Sequence, residues 1–298
     1  MNDYLLSALL GLVEGLTEFL PVSSTAHLRI VESALGVDLG NGYWKMFSIV
    51  IQLGAILALP IYFRRRIAEF LHSFVRRESN QPLLRHPLSL TVIAFLFTAI
   101  PAFLLTKVIG KHLENLALMA AALIIGGVVM WVVDAVYGSA RMMQTASVGA
   151  AQAGHRTETM EQMTLPQAIW IGACQTLSAV FPGTSRSMAT IAAGQLAGLS
   201  RSAALEFSFF LSIPTMLAAT GYDLLKTVHG SAGNAAIGPS QIGAHGWVLL
   251  AIGGFISFVV ALAVVAWFMN WVRTRGFAAF ALYRILLGAG VLFWISRR

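Results

Sequence analysis

Two polar stretches interrupt an otherwise apolar sequence, and both carry residue types that could act on an anionic substrate. The first is EGLTEFLPVSSTAH, from Glu14 to His27, and the second is PGTSRSMAT, from Pro182 to Thr190. A membrane interior disfavours ionisable side chains, so such residues within an apolar chain indicate a functional site. We therefore predict that the two stretches meet and form one site.

The first stretch contains two carboxylates at helical spacing. Glu14 and Glu18 lie four residues apart, so they project from one face of a helix. Two carboxylates at that distance repel each other, and a divalent cation, Mg²⁺ or Ca²⁺, would relieve the repulsion through hard oxygen ligands. A proton-carrying pair and a hydrogen-bonded structural cluster explain the spacing equally well, so all three interpretations stay open.

Hydroxyl groups and an imidazole follow the carboxylates. Ser24 and His27 are three residues apart on one helix face, which is the arrangement of a nucleophile and its general base. Ser23 and Thr25 add two further hydroxyls that could bind a phosphate. For any single hydroxyl, the commoner role at a helix start is to cap the helix.

The second stretch is a turn that leads into a helix. A helix start offers unpaired backbone N–H groups and a positive dipole end, and both favour phosphate. Arg186 adds a planar group that can bind two phosphate oxygens. Further donors are predicted in the same stretch: Gly183, Thr184, Ser185, Ser187 and Thr190.

Three polar residues, in different parts of the chain, have more ordinary structural explanations. Arg186 could instead pair structurally with Glu18 or Glu206. Gln52 could face the cavity as a substrate ligand, or it could bridge two helices. Arg284 lies near the end of a predicted span, where snorkelling or interfacial pairing is the usual role.

Composition places these stretches in a membrane protein. The chain has 298 residues, of which 57% are hydrophobic and 11% are charged, whereas soluble domains carry about 25% charged residues. The single cysteine, Cys174, excludes an internal disulfide and a cysteine-based metal site. We attribute the net charge of +7 to loop arginines that orient helices, and we expect no nucleic-acid partner.

Apolar segments and their interruptions predict an all-α polytopic fold. Two helical segments are too short to span alone and are broken near a proline, which is typical of re-entrant helix-loop-helix hairpins. The predicted halves of the two hairpins are 3–20 with 25–35, and 166–181 with 187–198. Six further segments have spanning length: 43–63, 88–107, 116–137, 203–225, 246–272 and 277–296.

A hairpin followed by three spans therefore occurs twice, which predicts an inverted-topology repeat within one membrane domain, 1–298. The repeats would cover 1–137 and 163–298, joined by a connecting loop at 138–162. Paired interruptions in two halves indicate a binding site near the membrane midplane. Aligning Pro21 with Pro182 puts Ser24 on Ser185. The arginine-rich loop after the first span is expected on the cytoplasmic side, so the first hairpin opens to the outer face.

These motifs resemble the undecaprenyl-diphosphate phosphatases of the bacitracin-resistance type. The resemblance rests on Glu14-Gly-Leu-Thr-Glu18 running into Pro21-Val-Ser-Ser-Thr-Ala-His27, and on the complete second motif from Pro182 to Thr190. Weaker matches occur elsewhere, at Ile51–Gly54, Gly198–Arg201, Glu206–Phe209 and Ala281–Arg284. Ala26 and Met188 depart from the family pattern, which bears on pocket shape and substrate preference.

The resemblance implies hydrolysis of a C55 polyprenyl diphosphate to the monophosphate in the bacterial cytoplasmic membrane. It implies a divalent cation, Mg²⁺ or Ca²⁺, on Glu14 and Glu18, with Ser24 as nucleophile. It maps the family's histidine to His27 and its phosphate-binding arginine to Arg186, with Ser185 and Thr190, and it leaves an acid-base role open for the two carboxylates. Our own hypothesis is that His27 deprotonates Ser24, or equally a water molecule that attacks directly. Expected partners are the lipid substrate and membrane lipids, and a homodimer stays open. A secondary transporter or lipid flippase is the alternative function, because such proteins share inverted repeats and broken helices.

Overall fold

The computed structural model describes residues 2–37, 42–76, 82–105, 115–138, 156–228 and 242–297. Within these ranges the chain forms eleven α-helices and no β-sheet. Their bounds are α1 (Asp3–Thr17), α2 (Ser24–Ala34), α3 (Gly42–Tyr62), α4 (Arg64–Arg76), α5 (Pro87–Leu104), α6 (Leu116–Val133), α7 (Leu165–Val180), α8 (Arg186–Leu196), α9 (Arg201–Val228), α10 (Ala244–Arg275) and α11 (Ala278–Ser296).

Five of the described helices are long and apolar enough to cross a membrane: α5, α6, α9, α10 and α11. The bent pair of α3 and α4, with 66° between the two parts, could supply a sixth span. The bend coincides with Arg64, Arg65 and Arg66, whose charges favour the membrane surface over its interior. The chain is therefore a multi-pass helical membrane protein, as its composition predicts.

Both predicted helix breaks are present. The first separates α1 from α2 around Pro21, and the second separates α7 from α8 around Pro182 and Gly183. Each second half begins with a capping serine at positive φ, 73° at Ser23 and 70° at Ser185. Residues other than glycine adopt this conformation at a cost of about 1–3 kcal/mol, so surrounding contacts must hold it.

The capping serines also give the local correspondence between the two breaks. Each side chain accepts a hydrogen bond from the backbone N–H three residues later, at Ala26 and at Met188. By its capping role, Ser23 corresponds to Ser185. The alignment of Pro21 with Pro182 instead pairs Ser24 with Ser185, so the prediction is off by one residue. The difference arises because the second break has one more residue between its proline and its capping serine.

Small residues let the first half of each broken helix enter the interior of the helical assembly. A side chain at Gly11 of α1 would collide with the backbone of Gly253 in α10. A side chain at Gly172 of α7 would likewise collide with the backbone of Ala94 in α5. Close backbone approach of this kind is typical of helix packing in membranes. It positions the ends of α1 and α7 deep within the protein.

Part of the predicted connecting loop, 138–162, contacts the segment between α8 and α9. Thr157 pairs with the chain at Leu199, donating its N–H to Gly198 and accepting from Ser200. Residues 139–155 of that loop, and 229–241 of the next, lie outside the described residues.

Candidate active site

A polar cavity of about 240 Å³ lies between the two helix breaks. Its lining combines both polar stretches of the sequence with side chains from α3, α7 and α9. The lining residues are Glu18, Ser23, Ser24, Thr25, Gln52, Ser178, Ala179, Pro182, Gly183, Ser185, Arg186, Thr215, Met216, Ala219 and Thr220.

Glu18 connects the two breaks. One carboxylate oxygen, Oε1, accepts a hydrogen bond from Nη2 of Arg186 at 2.9 Å. The other, Oε2, accepts a hydrogen bond from the hydroxyl of Ser24. Glu18 therefore holds a serine from the first break and an arginine from the second at one point, although 168 residues separate it from Arg186 along the chain.

The His27 ring makes no hydrogen bond to Ser24 among the described residues, so this structure does not contain the nucleophile–base pair that the sequence spacing suggests. Its Nδ1 lies 2.8 Å from the backbone oxygen of Ser23, and its Nε2 lies 2.7 Å from the hydroxyl of Tyr283. The rings of His27 and Tyr283 are stacked with centroids 5.6 Å apart. A carbonyl opposite Nδ1 requires a proton on that nitrogen, so a neutral ring accepts at Nε2. The Ser24 hydroxyl donates its hydrogen bond to Glu18 and not to the imidazole.

Glu14 is fully buried one helical turn before Glu18 and does not line the cavity. Neither of its carboxylate oxygens has a hydrogen-bond partner among the described residues. Those residues also contain no group of three or more acidic, histidine or cysteine side chains close enough to bind a metal. A carboxylate left without donors in an apolar interior requires either a proton or a cation.

The predicted donors of the second stretch divide between the cavity, the protein interior and, for Thr184, a separate groove. Gly183, Ser185 and Arg186 line the cavity, whereas Ser187 and Thr190 point into the protein. The Ser187 hydroxyl donates to the Leu20 backbone oxygen at 2.9 Å. The Thr190 hydroxyl donates to the backbone oxygens of Arg186 and Ser187 and lies 2.7 Å from the Ser208 hydroxyl. The hydroxyls of Ser187 and Thr190 therefore bond to neighbouring parts of the protein and do not face the cavity.

Two residues with competing explanations, Arg186 and Gln52, both line the cavity, and their roles toward a substrate stay predictions. Arg186 pairs with Glu18, whereas Glu206 accepts from Nε of Arg66 at 2.9 Å. Gln52 lines the cavity, which is the position expected of a substrate ligand.

Three polar cavity residues were not identified from the sequence. Thr215 and Thr220 come from α9, and Ser178 comes from the end of α7. Gln175 donates to the Thr215 hydroxyl at 3.1 Å. The available signal was weak, because a threonine in a spanning helix commonly bonds its own backbone, as Thr215 also does to Leu211.

A second, apolar groove of about 460 Å³ lies on the other side of the 181–185 turn. Thr184, predicted as a phosphate ligand, lines this groove and not the polar cavity. The remaining lining comes from α6, α7 and α8: Leu118, Ala121, Ala122, Ile125, Gly126, Val129, Cys174, Leu177, Phe181, Met188, Ala189, Ala192, Ala193 and Leu196.

Comparison with known proteins identifies relatives along the whole chain. A family model described as bacitracin resistance protein BacA matches residues 7–290. An undecaprenyl-diphosphatase of Koribacter versatilis is 64% identical over 300 residues, covering all of both chains. An undecaprenyl-diphosphatase of Sorangium cellulosum is 43% identical, over 97% of this chain and 85% of the relative. Another, of Caldanaerobacter subterraneus, is 39% identical, over 97% and 95%.

Proposed function

The chain belongs to the bacitracin resistance protein BacA family, and we propose that it hydrolyses undecaprenyl diphosphate to undecaprenyl phosphate and inorganic phosphate. This reaction returns the lipid carrier to cell-wall synthesis and accounts for resistance to bacitracin. The names of the relatives support the substrate, and the polar cavity supports phosphoryl chemistry.

The observation that carries the proposal is the convergence of two helix N-termini on one cavity. Residues from the start of α2 (Ser23, Ser24, Thr25) and from the start of α8 (Ser185, Arg186) line the same space. Each helix start presents free N–H groups and the positive end of the helix dipole. Together with the guanidinium of Arg186, these groups are suited to a diphosphate and to the charge that develops on its terminal phosphorus.

We assign the attacking group to Ser24. Its oxygen attacks the terminal phosphorus as its proton passes to Glu18, and the bond from that phosphorus to the bridging oxygen breaks. Undecaprenyl phosphate leaves with the bridging oxygen. Water then cleaves the phosphoserine, and Glu18 returns a proton as inorganic phosphate departs. Direct attack by a water molecule bonded to Glu18 gives the same products, with Ser24 orienting that water.

Glu14 and Glu18 fit the divalent cation that the family implies. Two carboxylates stand beside one guanidinium, and both oxygens of Glu14 lack donors among the described residues. A Mg²⁺ or Ca²⁺ ion on these two side chains would offset charge on the diphosphate. Thr25, Gln52 and Thr215, which also line the cavity, would bind phosphate oxygens.

The isoprenoid chain of the substrate is assigned to the apolar groove. The groove and the cavity share the 181–185 turn as a wall, with Thr184 on the groove side and Ser185 on the cavity side. A diphosphate held at Ser185 would leave its lipid chain one residue away from an apolar surface that can bury it.

The same family membership supports the finer architecture. We propose six spans and two re-entrant hairpins in an inverted repeat, within the bacterial cytoplasmic membrane. The capping serines, Ser23 and Ser185, with positive φ in both breaks, support this arrangement. The arginines around 64–66 would lie on the cytoplasmic side, so the first hairpin opens outward.

The test is phosphate release from undecaprenyl diphosphate by purified protein in detergent, without any ion gradient. Wild type should turn over, and Arg186→Ala and Glu18→Ala should each lose at least about 99% of activity. Arg273→Ala, a change at an exposed arginine of α10, should retain full activity. Failure of the wild type to release phosphate, or near-normal turnover in either site variant, would refute the proposal. A transporter would show no phosphate release under these conditions.

A further inference from the structure

Arg284 is a buried arginine whose partners are backbone carbonyls. Its side chain has no exposed surface. Nη1 donates to the oxygen of Pro21 at 2.8 Å, and Nη2 donates to the oxygens of Thr184 at 2.9 Å and Gly183 at 3.2 Å. Nη2 and Nε also donate to two carbonyls of α6, those of Ala122 and Leu123. Every partner found for it among the described residues is a main-chain oxygen.

These carbonyls come from both helix breaks. Pro21 lies in the first break, and Gly183 and Thr184 lie in the second. One guanidinium therefore ties the two turns to each other and to α6. A buried charge without a carboxylate is costly unless it is fully hydrogen-bonded. A buried arginine of this kind is expected where its hydrogen bonds hold the backbone in a conformation that an apolar side chain could not maintain.

That geometry acts on the N–H groups of the second break. In a planar trans peptide the N–H points opposite to the preceding C=O, and no cis peptide occurs among the described residues. Because Thr184 directs its carbonyl toward Arg284, the N–H of Ser185 points away from Arg284. Ser185 lines the polar cavity, and no protein acceptor for its N–H is found among the described residues.

The same contact holds a strained residue in place. Ser185 has φ 70°, a conformation that a serine adopts only when neighbouring contacts impose it. Arg284 fixes the carbonyl immediately before Ser185, and Arg186 follows immediately after it. A change in the Arg284 contacts would therefore rotate both the Ser185 N–H and the Arg186 side chain.

Space for the guanidinium is provided by a glycine of α6. A methyl group at Gly126 would overlap Nη2 of Arg284. Substitution of Gly126 therefore displaces the guanidinium while its charge is kept, which offers a second way to perturb the same contacts.

We propose that Arg284 is a positioning residue for the phosphoryl-transfer site. It binds the carbonyl sides of both turns, so that Ser185 and Arg186 of one break face Glu18 and Ser24 of the other across the cavity. This inference rests on the proposed function, since the groups it orients are those assigned to the diphosphate.

The test compares Arg284→Lys with Arg201→Lys in the purified full-length protein. A lysine at 284 keeps the charge but cannot reach both turns at once, because it offers a single point donor. We expect kcat for undecaprenyl diphosphate to fall about 10- to 100-fold, since small misplacements of reacting groups have effects of this size. Arg201 pairs with Asp134 away from the cavity, so Arg201→Lys should lower the thermal midpoint and leave kcat unchanged.

Gly126→Ala provides the second measurement, with Gly290→Ala as its control. A side chain at Gly290 of α11 would meet open space, so that variant should match the wild type. Gly126→Ala should lower kcat as Arg284→Lys does. All kcat values are measured well below the thermal midpoints and normalised to folded protein.

Unchanged kcat in either Arg284→Lys or Gly126→Ala would overturn the positioning role, as would an equal loss of kcat in Arg201→Lys. Absence of phosphate release by the wild type would instead refute the proposed function itself.

Discussion

Replacing Glu18 with glutamine separates its role as a base from the role of Arg186 as a phosphate ligand. Glu18 accepts two hydrogen bonds, from Ser24 and from Arg186. A glutamine has one acceptor oxygen and one donor group at those positions, so it cannot accept from both partners. It also cannot remove the serine proton. A general base typically contributes about 100- to 10,000-fold to the rate, and we expect kcat to fall within that range.

The same substitution should tighten the binding of inorganic diphosphate in the presence of EDTA. Removing a negative charge about 6 Å from the anion, at an effective dielectric constant of 20, reduces repulsion by up to about 3 kcal/mol. Screening makes the measured gain smaller, so we expect affinity to rise about 10- to 100-fold. A residue that only bound phosphate would show the opposite sign when replaced.

The assay combines single-turnover phosphate release with titration calorimetry of inorganic diphosphate on the same preparation. Glu206→Gln is the matched control, because Glu206 pairs with Arg66 outside the cavity. That variant should leave kcat and diphosphate affinity at wild-type values. A kcat for Glu18→Gln within threefold of the wild type would contradict the assignment. Weaker diphosphate binding in EDTA would contradict it as well.

Further substitutions address the imidazole, the cation and the groove. Tyr283→Phe removes one hydrogen bond to His27, so its kcat should fall by only about 2- to 10-fold. His27→Gln should remain at least tenfold more active than Glu18→Gln in the same phosphate-release assay. Glu14→Gln should weaken the apparent Mg²⁺ affinity in an activity titration at least about tenfold. It should also raise the thermal midpoint, because a neutral amide is easier to bury than a charge. Unchanged Mg²⁺ dependence would exclude Glu14 as a ligand. Ala121→Trp should fill the groove and raise KM for the C55 substrate about tenfold, the equivalent of two lost buried methylenes, with no change for a C15 diphosphate. Ala251→Trp, at an exposed position of α10, is the control. Equal effects on both chain lengths would exclude the groove as the lipid site.

The elements of the fold were predictable because their signals are local. Pro21 and Pro182 end their helices wherever the rest of the chain lies, and both breaks occur where the sequence places them. Hydropathy likewise predicted the five described helices that are long and apolar enough to cross a membrane, since each window is read independently of its neighbours. The bend after Tyr62 and the separate helix α4 were not predicted, because three consecutive arginines signal a surface position without signalling an angle.

The pairings within the site were less accessible, because helical spacing restricts which side chains share a face but does not select the partner. Ser24 and His27 satisfy the spacing rule, yet the imidazole bonds the Ser23 carbonyl and a hydroxyl 256 residues away at Tyr283. Arg284 was expected to snorkel or to pair at a span end, whereas it is fully buried. Its carbonyl partners carry no side-chain signature, so no pattern in the sequence identifies them.

The ion pair between Arg186 and Glu18 need not break when substrate binds. Only Nη2 of Arg186 is bonded to Glu18, and its Nε has no acceptor among the described residues. An unsatisfied buried donor of this kind is unfavourable by about 1–3 kcal/mol, and a phosphate oxygen would supply the missing acceptor. Arg186 could then hold the substrate through one nitrogen while it keeps Glu18 oriented toward Ser24 through another. On this reasoning the arginine aligns the nucleophile, the base and the phosphorus at once, which explains why we expect its loss to be more damaging than the loss of a simple charge.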